Sequence, residues 1–414
     1  MPQGNGLEIL MGKADISSRS IEIAPGVFWV GVLDRNRTIF DSFMSLPYGT
    51  TYNAYLVVGR DKIALIDTVS SEFSDVLIKK ISDVVRPEDI DYLVMNHAEP
   101  DHGGSIPKVL SIAKEARLVA SNKGVGVAKL FYDVQEERVT AVGDGAHIDL
   151  GGKTLRFIDA PWLHWPETMF TYCEEDKVLF SCDFLGAHVA ADKIYEDEVG
   201  DIVLAEAKRY YAEIMMIFIN PLRKALDKLD GLDIKIIGPS HGPVYRNPRR
   251  ILDAYNKWAK GPLEKKAVVI YVSMYGSTAA LEKTVVKAME EEGIDVVAYN
   301  MVRSDVSHIV TDLVDSSAIV FGSPSFYGGM HPRLASSVEL IRSIKPRGKV
   351  VAVFGSYGWG GGAAKEIKAR LAPAGFDVIE TLEIKGPPRE EALDKARALG
   401  KLVADKVKEI LAKN

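Results

Sequence analysis

The chain has 414 residues, of which 47% are hydrophobic and 26% charged, and its net charge is −6. That length leaves room for two or three domains, each with its own core, and the composition is that of an ordinary globular protein. The mild negative charge gives no reason to expect nucleic acid or an anionic membrane as a partner.

The first residues, Met1 to Gly6, lack a basic stretch followed by an apolar one, so no signal peptide is expected. Residues 33–57 read as a hairpin and strand at a pocket rim, with Tyr52 placed to face it. Tyr92-Leu93-Val94-Met95 reads as a buried strand end. It runs into Asn96-His97-Ala98-Glu99-Pro100-Asp101-His102-Gly103-Gly104, where His97, Glu99, Asp101 and His102 crowd six residues. A core strand has no use for two imidazoles and two carboxylates there, because buried charges need partners or a metal. The pair Gly103-Gly104 is expected to free the backbone for a tight turn.

Three more candidate ligands stand at predicted strand ends. His164 lies in Pro161-Trp162-Leu163-His164-Trp165-Pro166, after a strand over 154–158. Asp183 ends Val178-Leu179-Phe180-Ser181-Cys182, and His241 follows Ile234-Lys235-Ile236-Ile237. Alone, each reads better as something bland: His164 as a packed histidine between two tryptophans, Asp183 as a turn former, His241 as a loop histidine. Together they complete four histidines and three carboxylates that separate strands can aim at one edge. Cys173 and Cys182, the only two cysteines, have no C-x-x-C spacing. No rubredoxin or iron–sulfur centre and no disulfide framework is expected, which fits a reducing cytoplasm. No apolar run approaches transmembrane length; the densest, residues 214–219, belongs to a mixed helix.

The order His-x-Glu-x-Asp-His, then a lone His, a lone Asp and a lone His, resembles the diiron site of the flavodiiron proteins. These join a metallo-β-lactamase-like αβ/βα sandwich to a flavodoxin-like domain. The resemblance implies one iron at His97, Glu99 and His164, another at Asp101, His102 and His241, and Asp183 bridging them. Hydrolases of the same superfamily usually carry His where Glu99 stands. A carboxylate there adds negative charge and hard oxygen ligation, which favours redox-active iron, although zinc also accepts carboxylates.

A helix over 251–260 closes the first half, and Gly261-Pro262 breaks it, so the domains are placed at 1–262 and 263–414. From Ala267 strands and helices alternate regularly, with strands over 268–272, 294–299, 318–321, 350–354 and 378–382. Helices are expected over 278–292 and 390–411. This is a doubly wound parallel sheet, whose ligands bind at the strand carboxyl ends. Three loops there suggest a flavin. Ser273-Met274-Tyr275-Gly276-Ser277-Thr278 offers hydroxyls and free N–H groups at a helix N-terminus to a phosphate. A serine-rich helix cap explains it about as well. Flavodoxins prefer a Thr where Tyr275 stands. Pro324-Ser325-Phe326-Tyr327-Gly328-Gly329 and Ser356-Tyr357-Gly358-Trp359-Gly360-Gly361 mix aromatics with glycines suited to an isoalloxazine. No G-x-G-x-x-G follows a strand, which argues against NAD or FAD. FMN is the expected cofactor, beside the two irons.

The resemblance implies reduction of dioxygen to water, nitric oxide to nitrous oxide, or both. Electrons would pass through FMN from a separate donor, a rubredoxin-like protein or reduced coenzyme F420. A head-to-tail homodimer, or a dimer of dimers, would set one chain's FMN beside the other's irons. Two other readings are a zinc hydrolase fused to a flavodoxin domain and a non-enzymatic electron carrier. Glu99 disfavours the first, and a complete set of seven ligands disfavours the second. His188 reads more readily as a loop histidine than as a pocket wall, and His147, His308 and His331 as structural or surface residues.

Overall fold

A computed structural model describes residues 16–413, and the chain divides into two compact units between Asn256 and Lys257. That division falls inside helix Pro248–Ala259, just before the Gly261-Pro262 break on which the sequence places it.

Two large sheets, beside two small two-stranded ones, form the first unit among the described residues. One has seven strands in the order Ile21–Ala24, Val27–Trp29, Tyr55–Val58, Ile63–Ile66, Tyr92–Met95, Arg117–Ser121 and Val139–Val142. The other has five, in the order His147–Asp149, Thr154–Asp159, Met169–Cys173, Val178–Cys182 and Ile236–Pro239. Side chains alternate across a strand, and the alternation sorts the core. Leu93 and Met95 join Leu65 and Leu118 beneath Leu77, Ile81, Ile106 and Val109 of the helices outside. Val94, Ile66 and Val119 point the other way, into a second core shared with Leu155, Phe157, Met169 and Phe180 of the five-stranded sheet. Each large side chain so buried contributes about 1.5–3 kcal/mol. Sheets face to face with helices outside make the expected αβ/βα sandwich.

This arrangement collects strand ends. Tyr92–Met95 runs parallel to Ile63–Ile66, and Val178–Cys182 runs parallel to Ile236–Pro239. The Met169 N–H donates to Asn96 O at 3.0 Å, joining the two sheets where the first ligand segment begins. Residues 214–219, read from sequence as part of a mixed helix, fall in a π turn over Tyr211–Met215, a 3-10 turn over Met216–Phe218 and the start of an α-helix at Ile219.

The second unit is one parallel sheet in the order Asp295–Asn300, Lys266–Tyr271, Ala318–Pro324, Val350–Tyr357 and Val378–Lys385. Helices Ser277–Glu291 and Glu390–Lys413 cover it with Leu281, Val285, Leu399 and Val403. The chain reverses its winding direction between the first and third strands, the switch point where such sheets hold ligands.

Candidate metal centre and cofactor cleft

The ligand segment starts from a fixed base. Asp67 accepts from the Asn96 N–H at 2.7 Å and from its side-chain amide at 3.0 Å, and Thr171 donates to Asn96 Oδ1 at 2.7 Å. Pro100 then opens a single helical turn, Pro100–Gly103, that carries Asp101 and His102. Neither Gly103 nor Gly104 has a positive φ, so the pair does not serve the tight turn expected of it. Close approach is the reason instead: a Cβ on Gly103 would lie 2.1 Å from the Tyr132 hydroxyl oxygen, and one on Gly104 would lie 2.4 Å from Pro100 O. The Tyr132 hydroxyl donates to Ala98 O at 2.6 Å, so this packing holds the segment.

All seven candidate ligands come together in two groups. His97 Nε2 and His164 Nε2 lie 3.2 and 2.9 Å from Glu99 Oε2. His102 Nε2 and His241 Nε2 each lie 3.2 Å from Asp101 Oδ2. Asp183 stands between the groups. Its Oδ2 is 3.3 Å from His97 and 3.4 Å from His164, and its Oδ1 is 2.9 Å from His102 and 3.4 Å from His241. Both oxygens of Asp101 and Asp183 and both nitrogens of His102 are buried without a hydrogen-bond partner. Lone pairs that converge on common points without pairing are what two cations require, so the residues fit a two-metal centre.

The electrostatics demand positive charge there. Burial disfavours a protonated His102, but the carboxylates of Asp101 and Asp183 outweigh it and lift the imidazole to about 10. His164, opposed by burial and favoured by Asp183 and Glu99, also rises to about 10. The same imidazoles hold Glu99 and Asp183 below the usual carboxylate range against the effect of burial.

Two partners orient imidazoles from behind. His97 Nδ1 donates to Glu167 Oε1 at 2.9 Å, and His241 Nδ1 to Thr51 O at 2.6 Å, which leaves each Nε2 facing the centre. His97, His102, Asp183 and His241 form a buried floor. The side chains of Glu99, His164 and Asp101 are 20%, 16% and 11% exposed, so the centre opens on their side. There Arg37, Phe40, Asp41, Ser42 and Ser70 wall a cleft with Glu99 and Asp101. Tyr52 does face the site, its ring 6.0 Å from His241, while its hydroxyl accepts from Arg37 at 3.1 Å. His188 does lie on a loop, outside any helix or strand. It is buried, with its ring 4.8 Å from that of His241 and 4.9 Å from that of Tyr210. Glu167, Asp67 and Thr51 were missed from sequence, although Asp67 ends an apolar strand just as Asp183 does.

In the second unit a cleft lies between Ser273, Met274, Tyr275, Ser277 and Thr278, the pairs Pro324-Ser325 and Ser356-Tyr357 with Gly358, and a fourth segment, Gly386-Pro387, that the sequence did not single out. Gly276 (φ 92°) caps helix Ser277–Glu291. Thr278 Oγ1 and Ser356 Oγ are 2.9 Å apart, and Ser325 N donates to Ser356 O at 2.8 Å, so the three loops interlock. Among the described residues no Lys or Arg lines this cleft. Hydroxyls and helix N–H groups form its phosphate-sized end, which suits an esterified phosphate held by dipoles. Phe326, Tyr327, Gly328 and Gly329 form a tight turn beside the cleft rather than its wall, and Trp359, Gly360 and Gly361 also lie outside the wall. Tyr275, Tyr327 and Trp359 are 96%, 87% and 82% exposed, an unusual set of open aromatics.

Known proteins combine the same two units. Residues 50–242 match the ODP family beta lactamase model, and residues 269–400 match the flavodoxin model. A nitric oxide reductase of Moorella thermoacetica is 36% identical over 94% of this chain and 99% of its own. A coenzyme F420H2 oxidase of Methanocaldococcus jannaschii is 36% identical over 95% and 98%. Among solved structures, the flavodiiron protein of Giardia intestinalis superposes with a TM-score of 0.91 at 31% identity, over 95% of this chain and 98% of its own. The rubredoxin:oxygen oxidoreductase of Desulfovibrio gigas gives 0.92 at 29% identity, over 95% and 100%. With a shared carboxylate between two ligand groups in one unit and a hydroxyl-lined cleft in the other, the chain belongs to the flavodiiron protein family.

Proposed function

We propose that this protein reduces dioxygen to water, nitric oxide to nitrous oxide, or both. Residues 1–262 act as the diiron domain and residues 263–414 as the FMN domain. His97, Glu99 and His164 hold one iron and Asp101, His102 and His241 the other. The observation that carries this reading is Asp183, which turns one carboxylate oxygen to each group.

When bound, the irons and FMN supply the redox equivalents and the open coordination positions at which a diatomic binds. The chain's own residues set the conditions. The buried floor excludes water from one side, and Phe40 and Asp41 border the entrance on the other. Burial keeps the Tyr52 hydroxyl protonated well above physiological pH, so it remains a neutral donor, 3.4 Å from Asp34. Loops 273–278, 323–330 and 355–362 hold FMN, with the phosphate at Ser273, Ser277 and Thr278.

The electron donor is a separate molecule. The relatives include coenzyme F420H2 oxidases, and an anaerobic nitric oxide reductase flavorubredoxin of Escherichia coli is 32% identical over 93% of this chain. The two cysteines here are both free and buried. That supports a donor outside the chain, reduced coenzyme F420 or a rubredoxin-like protein, and a cytoplasmic setting. Among the described residues no helix is long and apolar enough to cross a membrane. Exposed Trp162, Phe131 and Leu130 sit on the loop and helix near His164. Such an apolar rim supports docking of a second copy's FMN domain in a head-to-tail dimer.

Elemental analysis with FMN release, then anaerobic turnover of the chemically reduced protein with each oxidant, tests the reading. The expected result is two irons and one FMN per chain with consumption of at least one oxidant. Zinc without redox turnover overturns it.

A further inference from the structure

The two ligand groups are matched in composition. Each has two imidazoles and one carboxylate of its own, and Asp183 is common to both. What differs is the support behind the imidazoles. His97 Nδ1 faces a carboxylate, Glu167 Oε1, at 2.9 Å, and that oxygen also accepts the Ala98 N–H at 3.1 Å. Glu167 is 2% exposed, and its Oε2 is buried without a partner. In the other group His241 Nδ1 faces the neutral carbonyl of Thr51, and His102 Nδ1 is buried without a partner.

A carboxylate behind a metal-bound imidazole raises the basicity of that ligand and brings a negative charge near the metal. A charge-assisted hydrogen bond is also roughly twice as strong as a neutral one. Little solvent is present here to screen it. Both effects favour the more positive oxidation state, and among the described residues only the first group has a carboxylate hydrogen-bonded to a ligand imidazole; Asp67, the buried carboxyl near His102, accepts from Asn96 instead.

We propose that Glu167 is a positioning residue that fixes His97 in its Nδ1–H form and makes the iron at the His97, Glu99 and His164 end the harder of the two to reduce. The inference rests on the diiron reading above. Two one-electron steps reduce the diferric centre. The first electron, supplied by dithionite through a mediator dye, turns the ferric ion at the Asp101, His102 and His241 end ferrous. The second reduces the ion at the His97 end.

The test is a potentiometric titration of the iron- and FMN-loaded protein, followed by electron paramagnetic resonance of the half-reduced centre. In Glu167→Gln an amide oxygen still accepts from Ala98 and His97, but the charge is gone. The expected result is an upward move of the lower couple by tenfold or more in its equilibrium constant, about 59 mV for one electron, with the upper couple unmoved. A shift of the upper couple instead, an equal shift of both, or no shift overturns the proposal. If the variant fails to retain iron, the wild type still decides. Crystals poised between the two couples, with diffraction collected across the iron edge, show ferric iron at the His97 end, and ferric iron at the other end overturns the assignment. Iron content separates the two ideas: fewer than two irons per wild-type chain defeats the diiron reading, and two irons reduced in the wrong order defeats only this one.

Discussion

Thr50 Oγ1 lies 2.8 Å from Nδ1 of His188. The same hydroxyl is 3.2 Å from His241 Nδ1, so it links a candidate ligand to a buried histidine that is not one. Burial first, then the neighbouring His241 and Arg209, keep His188 well below the usual imidazole range and therefore neutral. Thr50→Val preserves the shape and deletes the hydroxyl. Stability is expected to fall by about 1–3 kcal/mol, because His188 loses the only ring-nitrogen partner it has among the described residues. Iron content is expected to stay at the wild-type level, since His241 keeps the Thr51 carbonyl. Denaturant unfolding at matched iron loading measures the difference, and a variant as stable as wild type shows that the hydroxyl contributes nothing.

Metal removal is expected to destabilise one unit and spare the other. The cluster gathers three carboxylates and four imidazoles that are aimed at common points only in the folded chain, so cations bind the folded state far better than the unfolded one. At a thousandfold excess over Kd such binding adds about 4 kcal/mol. For a unit of this size that corresponds to roughly 8–16 °C. Calorimetry after anaerobic chelation is expected to show the first unit's transition falling by that order and the flavin unit's transition unmoved. Two transitions that fall together count against a centre confined to the first unit.

Why the candidate ligands were legible in the sequence, and their supports were not, has a physical cause. Each ligand ends or follows an apolar run, as Asp183 follows Val178–Cys182, and a strand end is where a sheet presents polar side chains together. Glu167 and Thr51 reach their histidines across 70 and 190 positions, and a lone carboxylate or carbonyl at such separations leaves no spacing to read. The second unit's five strands were all visible, because regular alternation with helices makes each strand a short apolar run. The strand order of the first unit was not, since segments as distant as Val178–Cys182 and Ile236–Pro239 are neighbours. The π turn at Tyr211–Met215 carries no sequence signature, and neither does Gly386-Pro387 in the cofactor cleft.

Glu206 gives the fold a dependence on pH. Burial lifts its carboxyl from 4.5 to about 7, and Arg209, 2.7 Å away, only partly offsets this. Below the unfolded value the group is neutral in both states and carries no penalty. As pH rises through about 7 the folded chain must bury a charge that the unfolded chain solvates, so stability is lost across that window. Glu206→Gln holds the neutral form. It is expected to match wild type within about 1 kcal/mol near pH 5 and to exceed it by about 3 kcal/mol at pH 8. Urea unfolding at the two pH values measures this, and a difference independent of pH rejects the assignment.

Thr278 joins the phosphate end of the cofactor cleft to the loop after strand Val350–Tyr357 through its contact with Ser356. Thr278→Val leaves Ser356 without that partner and removes one hydroxyl from the helix N-terminus. A lost hydrogen bond to a charged phosphate is worth about 1.5–3 kcal/mol, so FMN affinity is expected to fall roughly 10- to 100-fold. Fluorescence of released FMN reads this directly, and iron content is expected to be unaltered. Unchanged FMN affinity would place the phosphate elsewhere.

Glu99 is the residue at which metal choice can be turned. Its Oε2 stands within hydrogen-bonding distance of both His97 and His164, at the open side of the centre. An imidazole in its place removes one negative charge and one hard oxygen from that group, and leaves Asp183 as its only carboxylate. A ferric ion loses more by this than a zinc ion does, because zinc takes nitrogen ligands without a change of oxidation state. In Glu99→His, produced with iron and zinc both supplied, the ratio of iron to zinc is expected to drop severalfold, and the redox couple of that end is expected to vanish from the titration. The partial exposure of Glu99 gives the ring space to turn outward, so a stable fold with altered metal content is the expected outcome rather than an unfolded chain. Full retention of two irons would show that the geometry of the remaining six ligands, and not the carboxylate at this position, selects the metal.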